Sequence, residues 1–270
     1  MLMKRNRHFL HGIIIYTSIL SIVVPLLVLL VWSFSSRWAW PGLVPEGFSL
    51  RSVDELFGSH SKVISVLISS MALSLGVALA AAVIGTMSAR AIALYDFKGK
   101  GLISFASILP VIVPGTAFAM GIHVVFIRIG LSDTVLGVML VHIIYALPYT
   151  INIMLDLTRA VGVSLEMQSH VLGVPPIKTF WHVMLPLLLP GIMSSISMAY
   201  IISFSQYFLT LMIGGGSVKT FAVMMVPFIQ GGDRTISSAY SLVFVLSTLF
   251  VFVAIEAGIK KFAFWHEKTE

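Results

Sequence analysis

Six stretches of the chain are long and apolar enough to cross a lipid bilayer, and they restrict the possible folds more than any other feature. A helix needs about 20 mostly apolar residues to span the hydrocarbon of a bilayer. The stretches without a central charge cover residues 9–34, 63–89, 102–127, 134–155, 186–213 and 236–259. The sequence therefore predicts an all-α membrane protein with six transmembrane helices.

The composition agrees with a chain whose main solvent is lipid. Only 10% of the 270 residues are charged and 58% are hydrophobic, whereas a soluble domain carries roughly 25% charged residues. There is no Cys, and the eight His residues are scattered without the spacing of metal ligands. We therefore expect neither disulfides nor a metal site.

The Lys and Arg residues predict the orientation, because positively charged loops remain in the cytoplasm. With the N-terminus inside, eleven of the 17 basic residues fall in inner segments and six in outer segments, so both termini are expected to be cytoplasmic. The apolar run that follows the basic N-terminus is too long for a signal peptide, and we expect it to be retained. This topology accounts for the net charge of +6 without a nucleic-acid partner.

The predicted spans contain neither an ion pathway nor a nucleotide site. A carboxylate deep in a membrane marks ion coupling, but Glu256 lies within one turn of a span end and the polar residues at depth are neutral. The sequence also lacks the G-x-x-x-x-G-K-[ST] phosphate loop. A partner must therefore supply energy for any transport. Two alternatives stay open: a secondary transporter, and a membrane-embedded enzyme, for which His142 and Tyr145 lack a nearby acid.

The inner connection over residues 156–185 has a pattern of its own. Glu166 suits the first turn of a short helix over 165–172, and Ser164 is its expected N-cap. Gly173 suits the left-handed residue that ends such a helix.

A second short helix is predicted directly after this turn. Pro176 suits its first turn, the helix would cover residues 177–183, and Pro186 would then begin the fifth span. The pattern predicts a helix–turn–helix on the inner face, although any short amphipathic connector could show it.

This connection resembles the conserved cytoplasmic loop of the permease subunits of binding-protein-dependent ABC importers. Their motif is E-A-A, three residues, Gly, nine residues and I-x-L-P; here Gly173 matches the Gly, and Val183, Leu185 and Pro186 match I-x-L-P. The E-A-A triplet is replaced by Met167-Gln168-Ser169, with Glu166 one position early. Residues 45–50, 110–115, 147–149 and 204–210 are similar to the spermidine/putrescine and aminoethylphosphonate permease group.

The resemblance implies a type I importer (MetI-like) permease core with a cytoplasmic coupling helix, in a bacterial inner (plasma) membrane. We divide the chain into an N-terminal helix with its outer loop, residues 1–62, and a five-helix core, residues 63–270. The implied partners are a second, homologous or identical permease, two cytoplasmic ATPases and an outer solute-binding protein. ATP and Mg would be bound by the ATPases, so this chain would hold no cofactor and no catalytic residue.

The resemblance also assigns a set of coupling residues and a substrate class. The ATPase-coupling residues would be Glu166, Met167, Gln168, Ser169, Gly173, Val183, Leu185 and Pro186. The solute would be small and polar, such as a polyamine or aminoethylphosphonate, and the binding protein would select it.

Residues of the translocation path are predicted from polar groups and helix breaks within the spans. The candidates are Pro110, Pro114, His142, Tyr145, Gln206 and Tyr207. Backbone carbonyls freed by a proline are tolerated where they face protein or a water-filled path. The prolines would look the same if they only shaped the packing.

Overall fold

The chain is almost entirely helical. The computed structural model describes residues 2–38, 42, 44–59 and 61–267. The helices are α1 (Leu2–Ser33), α2 (Arg51–Phe57), α3 (Val63–Leu94), α4 (Lys100–Ile112), α5 (Gly115–Arg128), α6 (Val135–Val161), α7 (Ser164–Val171), α8 (Pro176–Thr179), α9 (Leu185–Phe204), α10 (Phe208–Gly214), α11 (Phe221–Gln230) and α12 (Arg234–Glu267). A short antiparallel pair, β1 (Ser35–Arg37) and β2 (Gly47–Phe48), follows α1.

Five of the six predicted spans are found as helical stretches long and apolar enough to cross a membrane. The third predicted span corresponds to α4 and α5, which are bent by 113° at their break and make a sixth span if they are counted as one. The break that Pro114 and Gly115 predict in the third span is therefore confirmed. Val113 is extended because the ring of Pro114 disfavours the helical conformation in the residue before it, and Pro114 itself has a ψ of 129°.

The fifth span also differs from its predicted bounds at both ends. Its C-terminal part is interrupted, because α9 ends at Phe204 and α10 begins at Phe208. At the other end, a π-helical turn over Phe180–Met184 joins α8 to α9 without a break. The separate second helix over 177–183 was therefore wrong. The π turn, in which the Leu185 N–H donates to the Phe180 carbonyl, carries the helix into Pro186, which has no N–H to donate.

The chain forms two compact units. One comprises the residues up to Ile64 together with Met225–Ser247, and the other comprises Ser65–Met224 with the residues from Thr248 onward. In the first unit, Arg51 and Asp233 form an ion pair of 2.6 Å, and the Thr235 hydroxyl donates to the Ser35 carbonyl at 2.8 Å. Two described positions of the connection after α1, Ser35 and Arg51, are thus bound to the residues at the start of α12.

The second unit is centred on α6, which packs mainly against α9. Small side chains allow α3 to approach α6 closely: a Cβ on Gly85 would lie only 2.4 Å from the Thr150 hydroxyl oxygen. A Cβ on Gly191 of α9 would lie 2.5 Å from Leu157 Cδ2 and 3.1 Å from Met154 Sδ of α6. Helices in lipid associate by close approach at small residues, because the burial of apolar surface contributes little to helix association there.

Candidate functional site

The predicted coupling loop contains a short helix, α7, that begins three residues after the end of α6. Gly162, with a φ of 69°, ends α6, and its N–H donates to the Thr158 carbonyl at 2.9 Å. Helix α7 then begins at Ser164, so the predicted N-cap role of Ser164 was wrong; the cap position is Val163, without a side-chain hydrogen bond. No residue of α7 is buried.

Gly173 ends α7 in the left-handed conformation that the sequence predicts, with a φ of 76°. The Gly173 N–H donates to the His170 carbonyl and the Val174 N–H to the Ser169 carbonyl, both at 3.0 Å. These are the two bonds of a Schellman motif, which satisfies the last carbonyls of a helix. A Cβ on Gly173 would meet no atom within 4 Å, so only its backbone angle favours glycine.

Helix α7 and the residues that follow it carry large apolar side chains that no described residue covers. Val171 is 88% exposed and Leu172 is 80% exposed. Met167, Ile177 and Trp181 are also exposed, and the last two lie at the start of the apolar stretch Pro176–Phe204. We refer to these five residues as the apolar patch. Sequence reasoning singled out Met167 alone, although large apolar residues in a short polar connection were a signal for the others.

Glu166 is directed toward the membrane-spanning part of the chain. Its carboxylate forms an ion pair with the Arg90 guanidinium of α3. The Arg90 Cζ also lies 5.8 Å from the centre of the Phe180 ring, a cation–π distance. The two charged side chains are only 17% and 23% exposed.

The other predicted coupling residues divide into surface and buried positions. Gln168 is exposed, and the Ser169 hydroxyl donates to the Leu165 carbonyl at 2.9 Å within α7. Val183 packs against the buried cluster that contains Met154 and Met184, and Leu185 and Pro186 lie half-buried in the continuous helix. Their coupling role stays a prediction.

Between α7 and the end of α3 lies a cavity of about 440 Å³. Its polar lining includes Arg90, Tyr95, His170 and Thr179. Thr179 is buried, and its hydroxyl has no hydrogen-bond partner among the described residues. The space leaves α7 without close packing on this side.

Two of the predicted path residues, Pro114 and Tyr145, lie at or near the bend between α4 and α5. Pro114 is exposed at the bend, and a Cβ on the adjacent Gly115 would lie 3.8 Å from the Tyr145 hydroxyl. The ring of Tyr145 also contacts Phe118, with centroids 6.0 Å apart. Pro110 is buried within α4.

The remaining path candidates lie at the break between α9 and α10. Gln206 and Tyr207 are half-buried within the break, and the Thr210 hydroxyl donates to the Gln206 carbonyl at 2.7 Å. His142 of α6 is completely buried, with both ring nitrogens at hydrogen-bond distance from hydroxyls of Ser203 and Thr210. In this structure His142 joins helices rather than facing an open space. The path roles of all six residues stay predictions.

Within the described ranges, no three His, Asp or Glu side chains form a group that could hold a metal ion. The arrangement of the site is that of a protein surface and a broken helical core.

Comparisons with known proteins agree with the geometry. The profile of the family described as binding-protein-dependent transport system inner membrane component matches residues 81–262. The Salmonella typhimurium protein that carries the name 2-aminoethylphosphonate transport system permease protein PhnV is 27% identical over 253 residues, or 92% of this chain and 94% of that protein. The spermidine/putrescine transport system permease protein PotC of Haemophilus influenzae is 24% identical over 258 residues, or 95% and 98%.

A solved structure shares the fold. It is the crystal structure of a bacterial ABC transporter involved in the import of the acidic polysaccharide alginate, and one of its chains superposes with a TM-score of 0.69. The sequence identity is 14%, and the match covers 94% of this chain and 96% of that chain.

Proposed function

Because the chain belongs to the family of binding-protein-dependent transport system inner membrane components and is a permease subunit of an ABC importer, we propose that α7 and the turn after it dock on a cytoplasmic ATPase. ABC importer permeases are multi-pass inner membrane proteins that work with ATPase and substrate-binding partners. The proposal assigns the ATPase contact to the apolar patch.

The observation that carries this proposal is the exposure of Val171 and Leu172, at 88% and 80%. Both lie in a connection between two spans rather than within a span. Leaving apolar area in water costs about 25 cal/mol per Å², and contiguous exposed apolar residues outside a membrane mark sites of protein association. The distribution of Lys and Arg supports a cytoplasmic location for this connection.

The remaining parts of the importer follow from the same proposal. A second permease, homologous or identical, would complete the translocation path, and each permease would dock one of two ATPases that bind ATP and Mg. Both termini of this chain would be cytoplasmic. An outer solute-binding protein would deliver the substrate. The chain itself would bind no cofactor.

For the substrate we propose a small polar solute, such as a polyamine or aminoethylphosphonate. The support is that relatives named for these solutes match 92% and 95% of this chain. The neutral polar groups near the two helix breaks suit a path of low affinity. Selection would then rest with the binding protein, and uptake of labelled candidate solutes by the assembled importer tests the assignment.

The docking proposal is tested by placing a charge on the apolar patch. Val171→Asp and Leu172→Asp should each lower the amount of ATPase that co-purifies with the permease by at least tenfold, because a desolvated carboxylate opposes an apolar contact. Val44→Asp is a matched control, since Val44 is 72% exposed in the connection after α1. Membrane levels of all three variants should equal that of the parent. Full ATPase retention by both patch variants would reject the docking surface.

A further inference from the structure

We infer that Arg90 and Glu166 form a tether that holds the docking helix α7 against α3 and passes its movement into the transmembrane core. The inference rests on the proposed docking function and assigns each residue a role that the resemblance does not. Glu166 becomes a positioning residue that pairs inward, instead of a contact to the ATPase. Arg90, which no motif singles out, becomes its partner.

The first step of the argument is that three elements meet at one guanidinium. Arg90 lies near the C-terminal end of α3, and Glu166 lies in the first turn of α7. The two form an ion pair although they are 76 residues apart in the chain. Phe180, where the π turn begins, lies 5.8 Å from the Arg90 Cζ. Arg90 is therefore the point at which α3, α7 and the start of the fifth span are joined.

The second step is that α7 has few other anchors. None of its residues is buried, and a cavity of about 440 Å³ separates it from the end of α3. Among the side-chain hydrogen bonds of the described residues, that of Glu166 is the one by which α7 reaches another element. The helix is flanked by Gly162 and Gly173, both at positive φ. Helix α7 also packs against α8 and the π turn, so the ion pair is the contact that joins it to α3 in addition to the start of the fifth span.

The third step is that α3 is rigidly connected to the rest of the core. Ala81 and Ala89 of α3 are completely buried, and Gly85 lies against Thr150 of α6 so closely that no Cβ would fit. Close-packed interiors transmit a displacement rather than absorbing it. A displacement of α7 is therefore transmitted through Arg90 and α3 to α6. From α6 it reaches the two helix breaks that α6 contacts.

The partial burial of the pair makes the link sensitive to the loss of either charge. Charge-assisted hydrogen bonds are the stronger ones, and removal of one partner from a poorly solvated pair leaves the other charge uncompensated. If Glu166 instead contacted the ATPase, Arg90 would be dispensable for docking and for coupling. The two roles of Glu166 thus make opposite predictions for Arg90.

The experiment uses the complete importer, reconstituted with its partner subunits, and measures ATPase retention, ATP hydrolysis and solute uptake. Arg90→Gln and Glu166→Gln should each retain ATPase within about twofold of the parent and continue to hydrolyse ATP. Uptake per ATP hydrolysed should fall at least fivefold. Arg159→Gln is the control for the loss of a basic residue, because Arg159 is exposed at the end of α6.

Two double variants that join positions 90 and 166 again test the tether itself. The charge swap Arg90→Glu with Glu166→Arg should restore uptake per ATP to more than half of the parent value. The chain has no Cys, so Arg90→Cys with Glu166→Cys can be bridged by a flexible bismaleimide, and bridging should raise uptake per ATP again. A merely structural defect would not respond to a covalent bridge.

The outcomes separate this inference from the docking proposal. Normal coupling in Arg90→Gln, or loss of ATPase from Glu166→Gln that neither reconnection reverses, would overturn the tether and leave the apolar patch untouched. Retention of ATPase by the Val171→Asp and Leu172→Asp variants would reject the docking surface instead.

Discussion

His142 Nδ1 lies 2.9 Å from the hydroxyl of Ser203. Its Nε2 lies 3.0 Å from the hydroxyl of Thr210 on the far side of the break between α9 and α10. The Ser203 hydroxyl in turn donates to Ser74 of α3 at 3.2 Å. One buried ring on α6 thus joins α3, α9 and α10 at the place where the fifth span is interrupted.

The first prediction is that this network holds the broken span together. His142→Phe replaces the imidazole by a somewhat larger ring that can make neither hydrogen bond, and interhelical bonds of this kind in membranes average about 0.6 kcal/mol each. We expect the free energy of unfolding to fall by about 1 kcal/mol, as measured by thermal melting of the purified protein in detergent. Ser194→Ala is the control, because its exposed hydroxyl bonds only within α9. Equal melting of His142→Phe and the parent would contradict the prediction.

The second prediction concerns the contact between α3 and α6. Gly85→Ala places a methyl group 2.4 Å from the Thr150 hydroxyl oxygen, and overpacking of this kind costs about 1–3 kcal/mol. The melting temperature should fall. Gly121→Ala in α5 should not lower it, since a Cβ there meets nothing within 4 Å and alanine favours helix. A destabilised Gly121 variant would show that the loss of glycine, not the contact, is responsible.

The third prediction is that the geometry of the turn at Gly173 matters for coupling and not for folding. A β-branched residue at a φ of 76° is strained by about 1–2 kcal/mol, which is too little to unfold the protein. Gly173→Val should reach the membrane normally but show reduced ATPase retention or uptake. Gly99→Val is a matched control at a φ of 90°, also with open space. If both variants behave like the parent, Gly173 is an incidental turn residue.

The fourth prediction is the orientation of the chain. Reporter fusions at Ser36, Gly130 and Gly216 should read as external, and fusions at Gly99 and Gly173 as internal, because of the Lys and Arg distribution. All five positions lie between helices. A consistent inversion of the readings would contradict both the predicted topology and the cytoplasmic location of the docking surface.

The fifth prediction is that the isolated chain has neither ATPase nor transport activity. It contains no phosphate loop and no carboxylate deep in a span, so in vesicles it should neither hydrolyse ATP nor move a solute down any gradient. Hydrolysis and radiolabel uptake are the measurements. Uptake driven by a proton gradient without ATPase subunits would favour the secondary transporter.

The features that local chemistry decides could be predicted from the sequence alone. The spans follow from hydropathy, because the apolar length that a bilayer requires is a property of consecutive residues. The break before Pro114 and the left-handed turn at Gly173 follow from the backbone preferences of single residues. One local prediction failed. Pro186 alone would be expected to begin a new helix, but the π turn that precedes it, closed by the hydrogen bond from the Leu185 N–H to the Phe180 carbonyl, keeps the helix continuous.

Only the tertiary structure decided which way the functional side chains face. Glu166 pairs with Arg90, 76 residues away, and His142 meets Ser203 and Thr210, 61 and 68 residues away. No spacing along the chain encodes such distances, because they depend on how helices cross and pack after insertion. The same holds for Val171 and Leu172: the sequence determined that they are apolar, but only the fold left them exposed, since no helix of the described residues covers the end of α7.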